Sequence, residues 1–236
     1  MEDMKRVCLL TGASGLLGTA FIERYAEQYQ IVAVHHQHAV QFATQEQVFI
    51  DPLFPSRELP ANNQTVDSIR ADISKPEEIN RLIHEVIVRF GRIDLLINCA
   101  AIRAWTNLLK PGAVDAAEMI LNINVLGPLR LCVGLAQNFW RQDADANVRF
   151  NRNVINISST AGLFVYGDLG QALYGMSKAA LNHLTYHLAS EFWDIGVRVN
   201  AVAPDSFPGR VATEDVLQAI INLDASEATG QVLPLY

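Results

Sequence analysis

The stretch that decides the fold is RVCLLTGASGLLG, residues 6–18. Its first half, Arg6 to Thr11, is an apolar run with the length and composition of a strand covered on both faces. Its second half, TGASGLLG from Thr11 to Gly18, leads into the helical pattern LGTAFIERYAEQY over 17–29. Such a turn is a cradle for phosphate, because its glycines let an anion approach the backbone and the first helical amides point at it. The dinucleotide fingerprint is G-x-G-x-x-G, whereas the glycines here stand at 12, 15 and 18. Taken alone the spacing also fits a plain strand-to-helix connection. Its place at the first βα crossing favours the cradle.

Outward from this turn, strand-like and helix-like segments alternate. IVAVHH (31–36), DSIRADIS (67–74, ending near Asp72), IDLLINCAA (93–101), RNVINISS (152–159) and VRVNAVAP (197–204) are further strands, and GQVLPLY closes the chain with a seventh. Between them fall EEINRLIHEVIVRF, stopped by Gly91 and expected to be capped by Ser74, a long helix over 115–140 bent around Gly127-Pro128, and a helix over 172–193. The expected fold is α/β: one doubly wound, mostly parallel, Rossmann-like sheet of about seven strands in a single domain over 1–236. Residues 37–66, with the prolines of DPLFPS, form an irregular insertion, with a short extra strand expected at QVFI.

Half of the 236 residues are apolar, 18% are charged and the formal charge is −7. That balance argues against duplex nucleic acid or an anionic membrane as partner, since both require a positive footprint. No run of 18 apolar residues suggests a membrane span. Cys8, Cys99 and Cys132 all lie in apolar contexts without C-x-x-C spacing, so free thiols in a reducing, cytoplasmic setting are expected. His35, His36 and His38 cluster without a carboxylate or cysteine at ligand spacing, and no metal site is expected.

Two further patterns carry chemistry. The second strand ends in Val34-His35-His36-Gln37-His38 with no acid. A carboxylate there would bond the adenosine ribose of NAD; its absence tolerates a 2′-phosphate and leans toward NADP(H), with NAD(H) as the alternative. In YGMSK, Tyr174 and Lys178 are four apart on one helical face, and an adjacent ammonium favours the phenolate. The preceding strand ends in Ser158-Ser159, whose hydroxyls could bond a carbonyl oxygen.

These motifs, TGASGLLG, ADIS, INCAA, NINVLGP, NVINISSTAG, YGMSKAALNHLT, GVRVNAVAP and ATGQVL, resemble in order those of the short-chain dehydrogenase/reductase family along nearly the whole chain. The resemblance implies Tyr174 as general acid, Lys178 on the nicotinamide ribose and lowering the tyrosine pKa, Ser159 polarising the substrate carbonyl, and Asn124 bending its helix and supporting a proton relay. It also implies cofactor contacts from Gly12, Ser14, Gly15, Leu16, Leu17, His36, Asp72, Ile73, Cys99, Ala100, Ala101 and Pro204, besides Tyr174 and Lys178. A homodimer or homotetramer built on the helices around 115–140 and 174–193 follows from the same likeness.

The chain departs from the family pattern in places. The usual NNAG is Asn98-Cys99-Ala100-Ala101, and the usual Pro-Gly is Pro204-Asp205. LFVYGDLGQAL before Tyr174 is slightly long, with Phe164 and Tyr166 as candidates to line an apolar pocket. The substrate loop, 205–216, is too short for a helical lid. The expected function is NADPH-dependent reduction of a ketone to an alcohol, on a small-molecule substrate that an open cleft would allow to be bulky or carrier-bound. The alternatives are a non-catalytic dinucleotide-binding subunit and, for the glycine spacing, a sugar or sugar-nucleotide reductase or epimerase.

Overall fold

The structure is a computed structural model describing residues 5–40, 49–50, 58–59, 66–167 and 170–236. Strands β1 (Arg6–Thr11), β2 (Tyr29–His35), β5 (Val66–Arg70), β6 (Leu95–Asn98), β7 (Asn153–Ile157), β8 (Arg198–Pro204) and β9 (Val232–Leu235) form one parallel sheet. Its order is β5-β2-β1-β6-β7-β8-β9. The chain thus winds one way from β1 to β2 and β5, and the other way from β6 onward. A crevice opens beyond the carboxyl ends of the strands at that reversal. A separate ribbon pairs β3 (Phe49–Ile50) with β4 (Glu58–Leu59). The expected strand at QVFI is met at Phe49–Ile50, and most of the 37–66 insertion lies outside the described residues.

Alternation along β1 serves two cores. Cys8 and Leu10 pack toward α1 (Leu16–Tyr25) and α7 (Thr213–Ala225), with Phe21, Val216 and Ile220. Val7 and Leu9 face the opposite layer, formed by α2 (Pro76–Phe90), α4 (Gly127–Asn138) and α6 (Ala172–Glu191), through Leu82, Leu131, Leu135 and Leu188. Burial on both faces explains why the central strands are almost wholly apolar. Beneath them a polar chain crosses the layer: Asn98 Nδ2 donates to Asn156 Oδ1 at 2.8 Å, and Asn156 Nδ2 to Thr185 Oγ1 at 2.9 Å.

Some local expectations shift. Ser74 does not cap α2, its hydroxyl donating to Asp72 Oδ1 at 2.7 Å instead; the N-cap is Lys75, whose side chain has no acceptor and makes no cap bond. The third main-sheet strand stops at Arg70, two residues short of Asp72. The long helix is interrupted ahead of Gly127: α3 (Ala117–Leu121) passes into a π-helical turn, Asn122–Leu126, before α4. Together Ala117–Gln142 is long and apolar enough, by length and composition alone, to cross a membrane. The sequence reading missed this because Asn122, Asn124 and Arg130 interrupt the apolar run. Ile120, Leu131, Cys132 and Leu135 of this helix are buried in the protein core. The short α5 (Ala144–Arg149) is capped by Asp143, whose side chain accepts from Ala146 N.

Gly91 ends α2 at φ 68° with open space where a Cβ would lie. Gly91→Ala therefore tests backbone strain alone. A loss of about 1 kcal/mol is expected, read as a Tm drop of about 2–4 °C for a chain of this size.

Candidate active site

The carboxyl ends of β1, β2, β6, β7 and β8 surround a cleft of about 600 Å³. At its base the cradle forms as the glycine pattern requires. Gly12 sits at φ +68°, and a Cβ there would come within 2.7 Å of the Ala100 backbone. Gly15 N–H bonds Gly12 O at 3.0 Å and Thr19 N–H bonds Gly15 O at 2.9 Å. Gly15 is the helix N-cap with no side-chain cap, so the first-turn amides are left for a ligand. Thr11 Oγ1 accepts from the Cys99 and Ala100 amides at 3.1 and 3.2 Å, fixing the turn after β6 against the cradle. A Gly12→Ala chain would meet both left-handed strain and the Ala100 backbone. A stability loss of about 2 kcal/mol is expected in urea unfolding, together with weakened dinucleotide binding.

At the β2 end, His36 lies 3.8 Å from Asp72. Burial raises the Asp72 carboxyl pKa, but hydrogen bonds from Ser74 and the nearby His36 and Lys75 outweigh it and hold the group below its ordinary value. Arg70, unmarked in the sequence reading, donates Nε to His36 O at 3.2 Å. It is the last residue of β5 and pairs with His35 across the sheet. That register is the signal that places an arginine beside the β2 end.

On the other side of the cleft lie Ser159, Tyr174 and Lys178. Lys178 is 2% exposed, its Nζ donates to Ile157 O at 2.7 Å, and it stands 5.7 Å from the Tyr174 ring centroid. Burial lowers its pKa to about 8, opposed by Cys99 and assisted by Arg103. The Tyr174 hydroxyl is shifted the other way from the expectation. Burial raises it, and the Ser159 hydroxyl and the Arg103 guanidinium only partly pull it back. Cys99 is a half-buried thiol that desolvation pushes up to about 11.

The expected cofactor residues Gly12, Ser14, Gly15, Leu16, Leu17, His36, Asp72, Ile73, Cys99, Ala100, Ala101 and Pro204 all line this one cleft. Asn124 does not reach its surface. It is buried in the π-helical turn, where Oδ1 accepts from Ile102 N at 2.9 Å and Nδ2 donates to Ile102 O and Ser177 Oγ, each at 3.0 Å. Ser158, by contrast with Ser159, spends its hydroxyl on Asn182. Of the two pocket aromatics anticipated, Tyr166 lines the cleft, with its hydroxyl donating to Thr160 Oγ1 at 2.7 Å. Phe164 packs against Tyr236, with ring centroids 6.3 Å apart. Only Asp205 to Ala212 separates β8 from α7, shorter than the expected 205–216. Glu214 and Asp215 begin α7 early because they complement its positive end. Asp205 does not need the positive φ of the usual glycine.

A glycine cradle and a Ser-Tyr-Lys group in one cleft, at the switch point of this sheet, define an NAD(P)-dependent oxidoreductase. The short chain dehydrogenase family model matches residues 6–216, and the chain belongs to that family. It is 30% identical over 209 residues to the 3-oxoacyl-(acyl-carrier-protein) reductase of Synechocystis sp., covering 89% of this chain and 75% of that protein. It is 28% identical over 202 residues to the (S)-acetoin-forming diacetyl reductase of Staphylococcus epidermidis, covering 85% and 71%. A short-chain dehydrogenase/reductase from Serratia marcescens shares the fold at a TM-score of 0.76 and 23% identity, covering 98% of this chain and 96% of that one.

Proposed function

We propose that the chain is an NADPH-preferring carbonyl reductase, cytoplasmic, acting through Tyr174, and that residues 1–236 work as one dinucleotide-binding and catalytic domain. The convergence of Ser159, Tyr174 and Lys178 with the Gly12–Leu17 turn in one cleft carries this reading. The cradle fits a dinucleotide, since Gly15 caps α1 without a side-chain bond and leaves the first-turn amides for a pyrophosphate. Gly12, Ser14, Gly15, Leu16 and Leu17 would hold its pyrophosphate, Asp72 and Ile73 its adenine side, and Cys99, Ala100, Ala101 and Pro204 the path to the nicotinamide. When bound, the nicotinamide supplies the hydride to the carbonyl carbon.

The chain's own groups do the rest. Ser159 Oγ, at the cleft surface, donates to the carbonyl oxygen and draws charge onto it. The Tyr174 hydroxyl delivers its proton to that oxygen as charge develops, which completes the alcohol. A tyrosine raised by burial is kept protonated for this step. Lys178, held by Ile157 O beside the Tyr174 ring, keeps two ammonium protons for the nicotinamide ribose. Asn124 acts as a positioning residue, gripping Ile102 and Ser177 on either side of the cleft wall.

The NADPH preference rests on His36, Gln37 and His38 at the end of β2, on Arg70 beside them, and on Asp72 being engaged by Ser74 and Lys75. Substrate breadth rests on the eight-residue loop, Asp205 to Ala212, which leaves the cleft open to bulky or carrier-linked ketones such as 3-oxoacyl chains. A homodimer or homotetramer fits the exposed Met119, Met176 and Tyr186 on α3 and α6.

Titrating NADPH and NADH while following nicotinamide fluorescence, then following NADPH loss with simple ketones and 3-oxo thioesters, tests the proposal. Tighter NADPH binding and ketone-dependent oxidation are expected. Binding of neither nucleotide at millimolar concentration would sink it, and binding without turnover of any ketone would favour the non-catalytic subunit.

A further inference from the structure

One wall of the cleft is a strap, Ile102 to Thr106, pinned at both ends. Asn124 takes the Ile102 N–H and gives to its carbonyl at the start. At the end, Thr106 N–H donates to Gly170 O at 3.1 Å, and a Cβ at Gly170 would lie only 3.1 Å from Thr106 N. Between the pins stand Arg103 and Trp105, both exposed and both lining the cleft with Tyr174. Their backbone is therefore fixed beside the reacting groups before any substrate arrives.

Arg103 makes no hydrogen bond and no ion pair among the described residues. The two carboxylates that line the cleft are already engaged. Asp72 is met by Ser74, His36 and Lys75, and Asp205 accepts from Ser206 N at 2.7 Å and Arg210 Nη1 at 3.1 Å. The Arg103 field reaches both Tyr174 and Lys178 and disfavours their protonation. A chain of net charge −7 repels anions at long range. Arg103 thus stands at the cleft wall as an exposed cation with no described protein partner, available to an anion from outside. The guanidinium fork fits the paired oxygens of a carboxylate or phosphate.

We propose that Arg103 recognises an oxyanion carried by the substrate a few bonds from its carbonyl, so that, among the ketones the open cleft admits, the preferred substrate is an oxo acid or a phosphorylated hydroxyketone rather than a 3-oxoacyl thioester. This rests on the carbonyl-reductase reading above. Trp105, two residues on and lining the same cleft, covers the short apolar spacer between the two groups. The rest of the cleft stays open for whatever lies beyond them.

The test compares kcat/KM with NADPH for 4-oxopentanoate against 2-pentanone, and for dihydroxyacetone phosphate against dihydroxyacetone. The native chain is expected to prefer the charged member of at least one pair. Arg103→Gln is expected to lower that charged-to-neutral ratio about ten-fold, chiefly through KM. Lys110→Gln, an exposed charge on the neighbouring turn, is expected to leave the ratio in place. The pair that responds identifies the oxyanion as carboxylate or phosphate. A ratio unmoved by Arg103→Gln in both pairs overturns the proposal.

A second arm needs no turnover. Calorimetric titration of pentanoate and of methyl phosphate should show about ten-fold weaker binding to the Arg103→Gln protein. If the native chain reduces no ketone yet loses anion binding on this substitution, the reductase reading falls and the subsite stands. If ketones are reduced and neither arm responds, the subsite alone falls.

Discussion

Tyr174→Phe is expected to lower kcat/KM for carbonyl reduction about 100- to 10,000-fold, with NADPH binding retained. The substitution removes one oxygen from a residue on the cleft wall and leaves the ring beside Lys178. Ser159 can still hold the carbonyl, but no group in the proposed mechanism is then placed to protonate it. The loss should therefore fall on kcat rather than on KM, because the proton transfer belongs to the transition state. Single-turnover decay of NADPH absorbance separates the two quantities. Full activity in this variant would exclude Tyr174 as the acid, whatever the fate of the cofactor site.

Lys178→Met should abolish the same activity by at least about 100-fold and change how stability responds to pH. In the folded chain Lys178 is pushed by burial to about 8, against an ordinary 10.5. Below pH 8 the folded state must keep an ammonium in the interior. Between pH 8 and 10.5 the folded state has released that proton while the unfolded state still binds it, so stability rises with pH across this window. Below the window the burial penalty is fully present, and above it the penalty is gone. The full swing is about 3 kcal/mol. Methionine cannot titrate, so the variant should lack this rise, although it leaves Ile157 O without its 2.7 Å donor. Urea unfolding of both chains at pH 7 and pH 10 reads the difference. Parallel pH profiles would show that Lys178 is not held in the depressed state.

Legibility differed between the two halves of the site. The cradle is local: Gly12, Gly15 and the start of α1 lie within seven residues, and their constraint is a steric one a sequence can state. Tyr174 and Lys178 are similarly local, one helical turn apart. Their pKa values were not legible. An adjacent ammonium suggested a lowered tyrosine, but desolvation outweighs the pull of Ser159 and Arg103, and the phenol is raised. Asn124 was marked by its motif, but its contacts with Ile102 and Ser177 were not legible, because the π-helical turn directs its amide at them.

Arg70 and Arg103 carry no local signal at all. Arg70 reaches the cofactor end only because β5 runs beside β2. Arg103 shares the cleft with Ser159, Tyr174 and Lys178 only because the strap after β6 is fastened to α6's approach at Gly170.

By itself, the sequence determined the α/β alternation, the parallel sheet, the phosphate turn and the Ser-Tyr-Lys group. Each of these depends on side-chain periodicity or on spacing within one or two turns of chain. Only the tertiary structure decided which distant residues share the cleft, how deeply Lys178 is buried, and which charges are already paired. Those properties are sums over neighbours brought together by the sheet order, and no local pattern encodes them. TGASGLLG thus fixes where a dinucleotide fits, while the fold around it sets the charge that the substrate meets.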